Sequence, residues 1–156
     1  MTESTAPKQQ FGIKKLYLKD ASYESPGTPQ SFGFAKWEPK VELNLTNTHT
    51  HIEGDLYEGV LNATVTVQVE DKTVFLIEVQ YAGLFGIVGF SEEERSYLLG
   101  SQCMTVMFPY AREVISDLTV RGGFPPLILS PVNFDALYQQ HLEKQKAGQA
   151  ESEATH

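Results

Sequence analysis

Two runs of alternating side chains, three residues apart, constrain this fold more than any other feature. Across Leu56–Val69, Tyr57, Leu61, Ala63, Val65, Val67 and Val69 share one parity. Glu58, Asn62, Thr64, Thr66 and Gln68 share the other. From Thr73 to Val88, Phe75, Ile77, Val79, Tyr81, Phe85 and Ile87 alternate with Val74, Leu76, Glu78 and Gln80. A period of two sends the sets to opposite faces of a strand. Glu70-Asp71-Lys72 leaves room only for a short turn, so the strands pair antiparallel.

Two further strands are predicted upstream. Val41, Leu43 and Leu45 alternate with Glu42, Asn44 and Thr46 over Lys40–Thr46, and a polar loop is expected over residues 47–55. The first strand starts at Phe11, with Phe11, Ile13, Tyr17, Ala21 and Tyr23 on one parity and Leu16, Leu18, Asp20, Ser22 and Glu24 on the other. Lys15 and Lys19 interrupt the first set, so neither face is cleanly apolar. Ser25-Pro26-Gly27-Thr28-Pro29 ends this strand. Ser91-Glu92-Glu93-Glu94 reads as a capping box opening a helical stretch, which Gly100 and Pro109 are expected to divide, the second piece being Pro109–Val120. Arg121-Gly122-Gly123 stops it, and the proline-rich residues 124–132 form an extended connector. Asn133 caps a last helix, in which Phe134, Leu137, Tyr138, His141 and Leu142 make an apolar stripe. Strands first and helices after predict an α+β fold: a four-stranded antiparallel sheet with helices packed on one face. Residues 1–10 are expected to be a disordered arm, 11–146 the domain, and 147–156 a disordered tail.

Charge and composition narrow the function. The 156 residues carry 20 acids against 12 Lys+Arg, for a net charge of −8. Between Asp20 and Glu94 thirteen acids face three lysines, which sums to −10, so the acidity belongs to the folded body. Such a balance argues against nucleic acid and anionic lipid as partners and for a basic one. No apolar run approaches a membrane span, and the polar N-terminus lacks a signal-peptide core. A single cysteine excludes an internal disulfide and suggests a reducing compartment.

The residues offer little chemistry. Cys103 has an apolar flank and no neighbouring base, so it reads as a buried structural thiol. His49 and His51 lie in a polar, loop-like stretch with no third ligand marked, and no metal site is assigned. Gly83, Gly86 and Gly89 match neither a phosphate loop nor the dinucleotide fingerprint, and read as relief at the end of a long strand. No nucleophile elbow occurs, so no enzyme and no cofactor are expected. Two features stand out. Asp20 and Glu24 share a parity, about 13 Å apart, as do Leu76 and Glu78. This set is either a solvated face or a docking surface. Apolar side chains also crowd nominal loops: Phe32, Phe34 and Trp37, then Phe124–Leu129. They either cover the core or mark a groove or an assembly interface.

Phe108–Glu113 (FPYARE), Arg121-Gly122 and Pro131–Tyr138 (PVNFDALY) make the chain resemble the SecB protein-export chaperone family. Lys19-Asp20, Trp37-Glu38-Pro39, Asp55–Glu58 and Glu78-Val79-Gln80 continue the resemblance in one register from Phe11 to Leu142. The chain differs at Met104, where the family has proline, and at Gly123, between Arg121-Gly122 and Phe124-Pro125. The resemblance implies an ATP-independent cytosolic holdase without cofactors. It implies a homotetramer, a dimer of dimers, that binds unfolded precursor proteins and delivers them to the SecA motor of the translocon. SecA binding would fall on Asp20, Glu24, Leu76 and Glu78. A client groove would include Trp37, Tyr110, Phe124, Phe134, Leu137 and Tyr138. The alternatives are a SecB-like chaperone dedicated to one antitoxin and a small-molecule-binding domain.

Overall fold

The computed structural model describes residues 8–154. Four strands, β1 (Gln10–Glu24), β2 (Lys40–Glu53), β3 (Leu56–Val69) and β4 (Lys72–Val88), form one antiparallel sheet in the order β1-β4-β3-β2. The β3–β4 hairpin turns through Glu70 and Asp71, whose φ values of 51° and 62° are both left-handed. Such a turn follows the natural twist of paired strands. After the sheet come α1 (Glu92–Tyr97), a π-helical turn (Leu98–Gln102), α2 (Cys103–Arg121) and α3 (Phe134–Ala154). The β1–β2 connection, with a 3-10 turn at Gln30–Gly33, crosses from one sheet edge to the other.

The odd-numbered faces of β3 and β4 make the core. Val65, Val67, Phe75, Ile77 and Phe85 are fully buried against Met104, Met107, Ala111 and Ile115 of α2. Gly59 leaves space over β3 for Met107, whose methyl lies 3.5 Å from where a Cβ would stand. The predicted fold class therefore holds: one sheet, helices on one side.

Several local expectations change. The loop expected over residues 47–55 is mostly strand, because β2 stays paired with β3 as far as Glu53 opposite Leu56. Gly54, with φ of 49°, makes the reversal. In β1, register shifts at Ile13/Lys15 and Leu18/Asp20 absorb one residue each, Lys14 and Lys19. Each bulge reverses parity. Ile13, Leu16, Leu18 and Ala21 therefore stand opposite Phe85, Gly83, Tyr81 and Val79, on the helix side, while Tyr17 changes to the other face opposite Ala82.

Pro109 does not break the helix but sits inside α2. Its ring removes one hydrogen bond, to the carbonyl of Thr105. Thr105 and Pro109 are both exposed, so water can reach that carbonyl. At Gly100 the helix widens into the π turn rather than ending. At the far end of α2, Gly123 (φ 87°) completes a Schellman cap: its N–H donates to Val120 O at 3.0 Å, and the Phe124 N–H donates to Thr119 O at 3.2 Å.

At the termini, Gln10 already belongs to β1, and residues 1–7 of the expected arm lie outside the described residues. The tail expected to be disordered is helical over residues 147–154, and 155–156 lie outside the described residues. Its Ala, Gln and Glu residues are good helix formers, and α3 continues through them fully exposed.

Candidate functional site

The sheet has two working sides. On the side away from the helices, directly opposed residues share a face, so the register defines rungs across all four strands. One rung is Glu24, Leu76, Thr66 and Glu42; the next is Ser22, Glu78, Thr64 and Asn44; the third is Asp20, Gln80, Asn62 and Thr46. The four residues of the predicted acidic set thus lie together on β1 and β4. Asp20, Glu24 and Glu78 are exposed and Leu76 is half-buried among them. Glu42 joins the same face at the β2 edge. It was absent from the predicted set, although its alternation with Val41 and Leu43 marks it as outward-facing.

This acidity is confined to one end of the sheet. Toward the other end, Tyr17 donates to Glu58 Oε2, and Lys19 Nζ reaches Glu58 Oε1 at 2.8 Å. The bond from Lys19, then that from Tyr17, holds the Glu58 carboxyl below its usual range. Burial, with the bond to Glu58, pushes the Tyr17 phenol up to about 12. Glu58 is therefore neutralised locally, whereas Asp20, Glu24 and Glu78 have no ion pair among the described residues.

On the helix side, α3 and β2 form the walls of a groove of about 520 Å³. Leu45, Asn47 and His49 line it from β2, Leu61 and Met104 from the floor, and Leu137, Tyr138 and His141 from α3. Phe134, whose ring meets Phe108 edge-on at 5.6 Å, closes the base. Only the first turns of α3 pack: Phe134 is buried, Leu137 is 42% exposed, and everything beyond Leu142 is exposed.

The six aromatic and apolar residues predicted for a client groove do not meet in one place. Phe134, Leu137 and Tyr138 line this groove. Trp37 stacks on Phe124 at 5.4 Å, in a cluster with Phe32 and Phe75. Tyr110, on α2 and half-exposed, stacks on Tyr81 of β4 at 5.7 Å, away from the groove. The connector buries Phe124 and Leu129 but leaves Ile128 74% exposed. Part of the apolar excess is thus core cover and part is open surface. Leu45, Leu61 and Met104 were missed as groove residues, because two strands and a helix separated in sequence supply them. The alternation of Leu43 and Leu45 was the available signal.

The remaining candidates behave as structural residues. Cys103 is fully buried, and burial pushes its thiol up to about 12. His51 Nε2 lies 2.7 Å from Gly54 O and its ring packs on Tyr57, while His49 faces the groove. No cluster of three metal-ligating side chains occurs among the described residues. No described helix is long and apolar enough to cross a membrane.

The family model described as preprotein translocase subunit SecB matches residues 4–145. A protein-export protein SecB of Methylococcus capsulatus is 50% identical, covering 90% of each chain. That of Nitrosococcus oceani is 47% identical, over 96% of this chain and 93% of its own. Among solved structures, a SecB-like chaperone of Mycobacterium tuberculosis, in complex with a peptide from the HigA1 antitoxin, superposes with a TM-score of 0.68. It is 20% identical and covers 78% of this chain and 90% of its own, a likeness of fold. With a sheet and helices of this arrangement and identities near one half over almost the whole length, the chain belongs to the SecB family of protein-export chaperones.

Proposed function

We propose that this chaperone holds unfolded precursor proteins in the cytoplasm without ATP, as a homotetramer, and passes them to SecA. One observation carries the reading: the apolar groove and the acidic rungs lie on opposite sides of one sheet. A client and a motor then occupy different surfaces at the same time, as delivery requires.

The groove walls formed by Phe134, Leu137 and Tyr138 take apolar client side chains, gaining roughly 25 cal/mol per Å² of apolar surface buried. The Trp37–Phe124 cluster, with Phe32 53% exposed, and the exposed Tyr110 serve as further contact points. Many weak contacts on four copies add through effective concentration. A folded protein presents no matching apolar surface and is passed over. Asp20, Glu24 and Glu78, set around Leu76, form the docking face for a basic region of SecA. The antitoxin-dedicated alternative has only a fold likeness at 20% identity behind it.

Dilution of a denatured precursor into buffer with and without the protein tests the holdase. Slowed refolding and suppressed aggregation are expected, and unchanged kinetics would overturn it. For the motor, Glu78→Lys should weaken SecA binding at least tenfold while client holding is unchanged. Undiminished SecA affinity would remove the acidic face from the reading.

A further inference from the structure

The π-helical turn Leu98–Gln102 belongs to neither wall of the groove, yet both walls are fastened to it. From β2, Asn47 Nδ2 donates to the Gly100 carbonyl at 3.3 Å. From α3, the Tyr138 ring lies directly over Gly100: a Cβ added there would stand 2.7 Å from Tyr138 Cδ2 and 2.9 Å from Cε2. Asp135, in the first turn of α3, accepts from Ser101 Oγ and, at 2.7 Å, from the Tyr97 hydroxyl. Gln102 Nε2 donates to that same hydroxyl at 3.1 Å, and Tyr138 OH donates to Ser96 Oγ at 3.2 Å. A single-turn π segment inside a helix stores a local geometry that an ordinary α-turn does not provide, and such segments recur at functional sites. Here the wider turn contains the one residue without a side chain, where the aromatic ring of α3 needs to sit. Beyond Leu142, α3 has no packed face, so its angle to β2 is set by its first turns, by Phe134 against Phe108 and by this seat.

We infer that the π turn is the gauge of the groove: Gly100 and Asp135 are positioning residues that fix how far α3 stands from β2, and so which segments the groove retains. The inference rests on the client-groove reading above and adds the device that regulates it. Gly100→Ala pushes Tyr138 out of its seat, because ring and Cβ cannot share the space. Asp135→Asn keeps the shape but removes the charge from two hydrogen bonds, which are stronger to an ionised acceptor. Both changes loosen the α3 wall without removing any side chain that lines the groove.

The test needs a readout that plain destabilisation does not move. Spin labels on Thr50→Cys in β2 and Glu143→Cys in α3, with the buried Cys103 unlabelled, report groove width. Release of a fluorescently labelled unfolded precursor reports retention. Ile115→Val, buried in α2 about 22 Å along the helix from Gly100 at 1.5 Å per residue, is the control for lost stability. Gly100→Ala and Asp135→Asn should each lengthen or broaden the label distance and speed precursor release at least threefold. Their combined effect should fall short of the product, since both act through one seat. The control should leave both readouts at the parent values. Unchanged label distances, or release no faster than in Ile115→Val, would overturn the gauge. If even the parent protein retains no precursor, the groove reading fails, and the label distances still decide whether the π turn sets the wall.

Discussion

Tyr23 and Gly122 meet where the end of α2 crosses the end of β1, and neither identity was predictable from its own neighbourhood. A Cβ at residue 122 would stand 1.9 Å from the Tyr23 hydroxyl, so only glycine fits there, whatever its φ. That hydroxyl is buried and has no hydrogen-bond partner among the described residues. Gly122→Ala should therefore cost about 1–3 kcal/mol, as overpacked sites do. Tyr23→Phe should be neutral or slightly stabilising, because an unsatisfied buried group is removed. The double variant should cost less than the sum of the two, which denaturant titration of all four proteins measures. A second residue-scale expectation concerns Cys103. A thiol with no solvent contact and its pKa pushed to about 12 presents almost no thiolate at pH 8. Alkylation of the native protein should proceed no faster than its unfolding; rapid native labelling would contradict this burial. The chemistry of Cys103 was legible from its apolar flank alone. The Tyr23–Gly122 contact was not, because it joins residues about a hundred positions apart.

What could be read from the sequence at the level of elements followed how local each signal is. The strands β3 and β4 emerge with their boundaries nearly intact, since short turns and unbroken alternation determine both pairing and register. In the first strand only the residues between two one-residue bulges, among them Leu16, Tyr17 and Leu18, take the face opposite to the one alternation predicts, because each bulge reverses the parity that periodicity relies on. Lys15 and Lys19, which looked like interruptions, are beside or at those bulges. The same limit hid the groove: its walls are a strand and a helix joined only by tertiary packing. Asp20, Glu24, Leu76 and Glu78 were grouped correctly because no bulge falls within residues 20–24 or 76–78. The attachment of α3 gives a pH expectation. The bonds from Ser101, then Tyr97, hold the Asp135 carboxyl below its ordinary range. A lowered carboxyl stabilises above its unfolded value and loses that contribution as pH falls through the folded one. The Gly100 and Tyr138 resonances should thus stay constant from pH 7 to about pH 4, the ordinary aspartate range, and shift only below it. In Asp135→Asn they should not follow that titration. A parent shift near pH 6 would assign the attachment to some other group. The exposed end of α3 depends on local propensity instead. Gly148, which has open space around it, should raise the helicity of that segment when changed to Ala, by roughly 0.5–1 kcal/mol in favour of helix.

For the whole molecule, the question is how a protein can expose apolar grooves and stay dissolved. A chain of net charge −8 repels its copies, and four of them would carry 4 × −8 = −32. Assembly then needs apolar contact strong enough to offset that repulsion. The described surface offers it on the helix side of β1 and on the exposed residues of α2. Ile13, Leu18, Tyr110 and Val120 are each 46–52% exposed there, in positions a monomer leaves unused. The acidic rungs are on the other side of the sheet and remain free when these residues are covered. Light scattering should give about four times the 17.4 kDa of one chain. Leu18→Glu combined with Val120→Glu should shift the mass toward smaller species, more so at low salt, where like charges are less screened. Circular dichroism should remain that of the folded chain, because neither residue belongs to the core. A monomeric parent would place the apolar residues of β1 and α2 among client contacts rather than subunit contacts. It would also leave each chain to hold a client by one groove, without the added affinity of four.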